Sequence, residues 1–259
     1  MHVLTNEKTR VAPVPAIHRM VLMLEAIDGL GGVATVTQLA DATDLAKSSV
    51  SNLLTSLSSA GLVRRTHAGW ALGLRLIELG HSSLDRLTVV SHFQPIVRST
   101  TPLRHEYVRL AALDGADVLY LAERRGSEVV RVSAAVGERT SAYSTAVGKA
   151  MLAGLPSNVL DDRLAAAEAR GGLPLRTNRS HATIEALVDD LRATAQRGFA
   201  IDLEESVVGV ACLAVRVPGG ASPCAVGVTL PSRRATNDVV HGLVTALEAV
   251  ASRLAVHAQ

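Results

Sequence analysis

LAKSSVSNLLTSLSSAGLVRR (Leu45–Arg65) is the stretch whose reading decides how the N-terminal part of the chain folds. Val50, Leu53, Leu54 and Leu57 recur at i, i+3, i+4 and i+7, the buried stripe of an amphipathic helix, and Gly61 stops it. At 100° per residue the side chains farthest from that stripe are Ser48, Asn52, Thr55 and Ser59, with Ser51 beside them. A helix that only faces water usually carries Glu and Lys, which add i,i+4 pairs. Short hydroxyl and amide side chains instead let the backbone approach another surface closely and hydrogen-bond to it. The floor of a DNA major groove is such a surface, where Asn reads adenine through two bonds and Ser or Thr bonds to bases or phosphates.

Upstream, Pro13 and Pro15 follow a polar tail of about a dozen residues and introduce a first helix with Ile17, Met20, Leu24 and Ile27 at helical spacing. Gly29, Gly31 and Gly32 end it, and a short second helix begins around Thr35–Ala40 with Thr35 or Thr37 as its cap. Downstream, Leu62–Arg65, a Thr66–Gly69 turn and Trp70–Leu72 read as a strand–turn–strand with basic residues near its tip. Three helices and a basic hairpin make a winged helix-turn-helix, its third helix in the major groove and its wing on backbone or minor groove. The candidate DNA contacts are Thr37, Lys47, Ser48, Ser49, Ser51, Asn52 and Thr55 on the helices, with Arg64, Arg65 and His67 on the wing. A plain helical hairpin with surface serines is the bland alternative, and it leaves the basic hairpin unexplained.

The 259 residues suit one large or two medium domains, and 48% hydrophobic against 19% charged residues supplies a core and excludes wholesale disorder. With two Phe, three Tyr and one Trp, that core must be built from Ala, Val and Leu, and single-strand binding by aromatic stacking is disfavoured. A net charge of +2 means that any nucleic-acid footprint is local. Cys212 and Cys224 have no metal-type spacing and read as reduced core thiols, with a disulfide between them the lesser alternative. The N-terminus has no apolar signal core, and no run of 18 apolar residues occurs, so the expectation is a cytoplasmic protein without membrane contact.

The order LAKSSVSNLLTSLSSAGLVRR…GWALGLRLIELG resembles the N-terminal domain of the IclR family of bacterial transcriptional regulators. SAYSTAVGKAMLAGLP (141–156) is similar to that family's G-K-A-x-L-A segment, and RGFAIDLEESVVGVACLAVRV (197–217) to its G-x-x-x-D-x-E-E…G-V-x-C-x-A signature. With the strand CAVGVTLP (224–231), these segments cover nearly the whole chain in the family's order. Two places depart from the pattern: Ser51-Asn52 stands where relatives often have His-Arg, and Pro102 and His105 fall where they commonly read T-G-E-T. The operator sequence of relatives is therefore not transferred. The resemblance implies a ligand-responsive regulator with a winged helix-turn-helix domain (13–74), a helical linker (75–101) and an effector-binding and oligomerisation domain (102–258).

The residues of the second half read the same way. An apolar helical pattern from Leu74 to Arg98 is broken near Gly80 and Pro95, and strands follow at 106–113, 117–125 and 128–134. Two or three helices within Thr145–Arg197, strands near 199–202, 210–217 and 224–230, and a last helix from Asn237 to about Val256 complete an α+β domain with one mixed sheet. Gly148-Lys149 lacks the glycine and the hydroxyl of a phosphate loop, so no nucleotide cofactor is expected. Asp202, Glu204 and Glu205 are residue types for acid–base or metal work, but the nine histidines form no HxH or HExxH pair, and Cys212 as a nucleophile needs a base that sequence cannot place. The expectation is no catalytic residue, no metal and no cofactor. A small-molecule enzyme or sensor using its N-terminal domain for protein contacts is the other function class.

By position, the resemblance assigns effector binding to Ala146, Val147, Asp202, Val210, Cys212, Gly227 and Thr229, with a small organic acid as the effector. N–H groups at the start of the helix near Ala146 favour such an anion, and Gly227 stands where some relatives carry serine. One short helix and one wing bury too little to find an operator, and Leu76, Leu79, Ser83 and Leu87 give the linker an apolar face. Both favour a homodimer on double-stranded DNA with two half-sites. Relatives often assemble further, into tetramers.

Overall fold

The computed structural model describes residues 14–127, 134–220 and 222–258. The tail with Pro13, and residues 128–133 of the expected strand 128–134, lie outside them. The chain divides between Ser83 and Leu84 into two compact units, a boundary inside the segment 75–101 read as a linker.

The first unit runs α1 (Pro15–Gly29), β1 (Val33–Ala34), α2 (Val36–Thr43), α3 (Lys47–Ser59), β2 (Val63–Arg65) and β3 (Trp70–Leu72). Pro15 opens α1 where no amide hydrogen is needed. Thr35, not Thr37, caps α2 through a capping box: its hydroxyl accepts the Gln38 N–H at 3.3 Å, and its own N–H donates to Gln38 Oε1 at 2.9 Å. Asp44, at φ 53°, turns the chain toward α3. Val50, Leu54 and Leu57 are fully buried against Met23, Ile27 and Leu39, with Leu53 at the edge; each such side chain is worth about 1.5–3 kcal/mol. The antiparallel sheet has the order β1-β3-β2. At two residues, β1 is too short to show an alternation, and the sequence reading misses it. It dictates Gly69 in the wing turn, where φ is +150° and a Cβ would lie 2.5 Å from the Ala34 carbonyl oxygen.

The helical segment after the wing breaks at Arg86–Leu87, into α4 (Leu74–Asp85) and α5 (Thr88–Ser99), not at Gly80 or Pro95, which lie inside these helices. Pro95 is tolerated because Val89, Phe93, Ile96 and Val97 of α5 are buried in the second unit's core, which compensates for the lost helix bond. That unit continues with β4 (Tyr107–Asp114), β5 (Asp117–Arg124), β6 (Arg139–Ser141), α6 (Ala146–Leu152), α7 (Ser157–Glu168), α8 (Ile184–Arg197), β7 (Ala200–Leu203), β8 (Val210–Val217), β9 (Cys224–Pro231) and α9 (Asn237–Ala255). The sheet has the order β6-β5-β4-β9-β8-β7. Read from sequence as mixed, it is antiparallel at every described pairing; Gly115, at φ +63°, closes the β4–β5 hairpin, and β9 returns to pair with both β4 and β8. The class is α+β.

Helices cover both faces of the sheet, which is why its strands read as continuous apolar runs. Leu110, Leu213, Val226 and Val228 face α5 and α9, whereas Ala111, Tyr120, Cys212, Ala214 and Ala225 face α6, α7 and α8. The second face is floored by small side chains, and every residue of α6 is buried on it. Gly148 makes that approach feasible: a Cβ there would stand 2.1 Å from the carbonyl oxygen of Ala142. Gly148→Ala is therefore expected to cost about 1–3 kcal/mol or more through overpacking, read as a lower urea midpoint for the second unit. An unchanged midpoint would show that α6 has slack against the 142–144 turn.

Candidate functional site

On α3, Lys47, Ser48, Ser51, Asn52 and Thr55 are exposed and Ser49 is half-buried; Thr37 on α2 is exposed too. Three hydroxyls of this face turn their protons back into the helix. Thr55 donates to the Ser51 carbonyl at 2.9 Å, Ser56 to that of Asn52 at 3.1 Å and Ser59 to that of Ser56 at 2.8 Å. Their lone pairs and the Asn52 amide stay outward. Arg64, Arg65 and His67 are exposed on the wing, and Arg65 lies 5.7 Å from the Trp70 ring centre, which supports its stem. No acidic residue occurs between Leu45 and Arg65, so the face is locally positive in a nearly neutral chain.

In the second unit a narrow cavity lies between α6 and the sheet, lined by Thr145, Ala146, Val147, Asp202, Ser206, Cys212, Gly227 and Thr229, together with Arg109 and Tyr120. Six of the seven positions carried by resemblance meet there. Val210 is buried near the end of β8, opposite Pro231, and does not line it. The register explains the gathering: Asp202, Cys212 and Thr229 are successive neighbours across β7, β8 and β9, and Gly227 pairs with Arg109 on β4. A Cβ at Gly227 would come within 3.0 Å of Val147, so its absence leaves α6 room. The free space for water centres is about 10 Å³, roughly that of one water.

Arg109, only 5% exposed, was not among the expected site residues. Its guanidinium lies 4.0 Å from the Tyr120 ring centre and 5.5 Å from that of Tyr107, and donates to the Ala134 carbonyl at 3.2 Å and to Thr229 Oγ1 at 3.3 Å. A charge inside an inward-facing strand position was its one sequence signal. The expected N–H groups at the start of α6 are partly spoken for, since Thr145 accepts from Gly148 N; the fixed cation of the cavity is Arg109. At the other end Asp202 accepts from Glu205 N at 2.7 Å and from Ser206 Oγ at 2.5 Å. Burial pushes its carboxyl above the ordinary range despite these bonds. Between the two, burial pushes the Cys212 thiol up to about 12.

Behind this wall sits a second group of charges. Lys149 is fully buried and donates to Asp190 Oδ2 on α8 and to Glu205 Oε1, each at 2.5 Å. His181 Nε2 lies 3.2 Å from Asp190 and 3.4 Å from Glu205, and Arg197 donates to Asp190 Oδ1 at 3.2 Å. Burial works against the Asp190 charge, but the His181 hydrogen bond and the Lys149 ammonium hold its carboxyl well below the usual carboxylate range; burial instead raises Glu205. His181, Asp190 and Glu205 have the geometry of a cation site, and the Lys149 ammonium already supplies the cation. Glu204, at φ 65°, makes the turn that sends Asp202 and Glu205 to these different duties.

The chain matches known proteins over both units. Residues 16–67 match the family described as the IclR helix-turn-helix domain, and residues 81–256 match that described as the bacterial transcriptional regulator IclR C-terminal domain. The transcriptional repressor IclR of Escherichia coli K12 is 29% identical over 247 residues, 91% of this chain and 89% of that one. The HTH-type transcriptional repressor AllR of the same organism is 26% identical over 227 residues, covering 86% and 82%. The crystal structure of a transcriptional regulator from Rhodococcus sp. RHA1 superposes with a TM-score of 0.78 at 26% identity, covering 95% and 98%.

Removing the Lys149 charge takes the ammonium from buried Glu205 and leaves half-buried Asp190 with Arg197 and His181 alone, so Lys149→Met is expected to cost about 3–5 kcal/mol at pH 7. Because the folded Asp190 titrates below its ordinary value of 3.8, its stabilisation is complete above that pH and lost as the pH falls below it. In the variant the same protonation relieves repulsion. The deficit measured by urea unfolding should therefore shrink as the pH falls below 3.8; a constant deficit would mean that Lys149 acts by packing alone.

Proposed function

The chain belongs to the IclR family of bacterial transcriptional regulators, and from that premise we propose that α3 and the β2–β3 wing hold an operator whose affinity is set by a small organic acid in the cavity beneath α6. The observation that carries the DNA half is the exposed, acid-free face of α3 with Asn52 at its centre and Arg64 and Arg65 beside it. Asn52 reads a base, Ser48, Ser51 and Thr55 accept or donate around it, and Lys47, Ser49, Thr37, Arg64, Arg65 and His67 hold phosphates. The acid half is supported by Arg109, a buried cation on the cavity wall.

A second copy of the chain completes the operator-binding unit. One helix and one wing cover only a half-site, and exposed apolar residues recur at helical spacing from the N-cap of α1 (Val14) along it (Ile17, Val21) and on α4 (Leu74, Ile77). Apolar stripes of this kind are what a homodimer covers. The protein is a binder rather than a catalyst: the Cys212 thiol is held up at about 12 and both Asp202 oxygens are engaged, so neither is poised as nucleophile or base. It works in the cytoplasm, where its DNA is, and the relatives named above favour repression.

An effector that prefers one arrangement of the dimer shifts the operator-competent population, and a coupling of about 1–3 kcal/mol suffices for several-fold to a hundredfold changes in occupancy. A gel shift on the DNA upstream of the protein's own gene, with and without small organic acids, tests this; no sequence-specific complex under any condition would overturn it. Asn52→Ala should cost about 1–3 kcal/mol on the cognate site with little effect on random DNA, and equal losses on both would remove Asn52 from base reading. Arg65→Ala should weaken binding to all sequences and reduce the salt slope by about one; an unchanged slope would take the wing off the phosphates.

A further inference from the structure

The cavity under α6 has a different polar group at each end. At one end is the Arg109 guanidinium, laid against Tyr120 and reaching Thr229 Oγ1 at 3.3 Å. At the other is Asp202, with Ser206 donating to it. Thr229 and Asp202 stand on β9 and β7 with Cys212 of β8 between them in register, so the ends lie two strand spacings, about 10 Å, apart along the floor. The walls between them are apolar: Ala146, Val147 and the protonated Cys212.

Among the described residues, no carboxylate forms an ion pair with Arg109; its partners are a carbonyl, a hydroxyl, two rings and the Cys212 thiol beside it. A guanidinium 95% removed from water without a direct ion pair is costly, even with the more distant charge of Glu123 across on β5, and its planar fork is suited to a carboxylate. Asp202 is an acceptor at the opposite end, and a negative charge brought to it would face a buried carboxyl group. We propose that Arg109 determines the ligand class of this cavity, which takes a short monocarboxylate carrying a hydrogen-bond donor at its far end, the carboxylate on Arg109 and Thr229 and the donor on Asp202. Dicarboxylates are rejected at Asp202, and neutral analogues are rejected because they leave Arg109 unpaired. This rests on the effector-pocket reading above.

The test uses the full chain, isothermal calorimetry, and the arginine Nε–H signals of labelled protein. Probes are ω-hydroxy monocarboxylates of three to six carbons, the unsubstituted acids, their amides and the dicarboxylates of equal length. Expected is saturable binding of at least one hydroxy acid with a shift of the Arg109 signal, at least tenfold tighter than its amide and its dicarboxylate. Arg109→Gln should lose that acid-over-amide preference. Arg109→Lys retains part of it and serves if the glutamine variant fails to fold, and Asp202→Asn should readmit the dicarboxylate. No binding by any acid of the series, equal binding of acid and amide, or undiminished acid binding by both Arg109 variants would overturn the proposal. Acid binding at Arg109 with unchanged operator affinity would instead leave it standing and sink effector control of DNA binding.

Discussion

A single buried ammonium organises the second unit. Lys149 is on α6, and its two carboxylate partners come from α8 and from the turn after β7. Desolvating three charges is expensive, and hydrophobic side chains of the same volume would often be as stable. What the ions add is direction. A hydrocarbon cluster tolerates sliding, whereas contacts of 2.5 Å from one nitrogen to two oxygens fix the position of Glu205 and with it the turn from Asp202 to Ser206. That turn forms one end of the cavity. Its far end, at Arg109, is held independently by the β4–β9 register.

The second constraint is the closeness of α6 to the sheet. Ala111, Ala214, Ala225 and Gly227 make the floor, and Gly148 lets the helix sit against the 142–144 turn. A closely packed helix and a floor of small residues leave a cavity with space for about one water. Admission of any larger ligand therefore requires the lining to part, and the parts differ in what holds them. The floor is hydrogen-bonded strand to strand, and α6 has no slack at Gly148. The 202–206 turn is held by side chains and by its bonds to Thr177 and Ser180.

Local pattern carried much of this into the sequence. The Val50–Leu57 stripe, the wing, the late strands and the last helix are periodic features whose buried faces follow from spacing alone, and α3's outward face followed by subtraction. What could not be read was whatever depends on pairing between distant segments. Strand direction, the two-residue β1 and the burial of α5 are set by tertiary partners. Among the site residues, Asp202, Cys212, Gly227 and Thr229 converge because three strands are in register, and Ala146 and Val147 join them because α6 packs on that floor, facts that the family pattern carries implicitly. Arg109 and Lys149 were missed for the same reason: the meaning of an inward-facing charge depends on what the fold puts opposite it. Arg109 stood out only as a polar interruption in EYVRLAAL, and Lys149 was weighed as part of a phosphate loop and set aside.

A ligand shifts an equilibrium only by its differential affinity for the two arrangements. In the cavity the groups an acid would engage already engage their neighbours, Arg109 with Thr229 and Asp202 with Ser206. At the Arg109 end, replacing a hydroxyl by a carboxylate needs no backbone movement, because β4 and β9 stay paired. At the Asp202 end, a ligand donor competes with Ser206, and Ser206 adjoins Glu205, whose carboxylate is held by Lys149. The energetic consequence of binding is thus asymmetric: affinity comes from the Arg109 end, and displacement falls on the turn that Lys149 and α8 hold. In such a cavity the residue that selects the ligand and the residues that register its arrival are different, and the buried ammonium stands on the registering side.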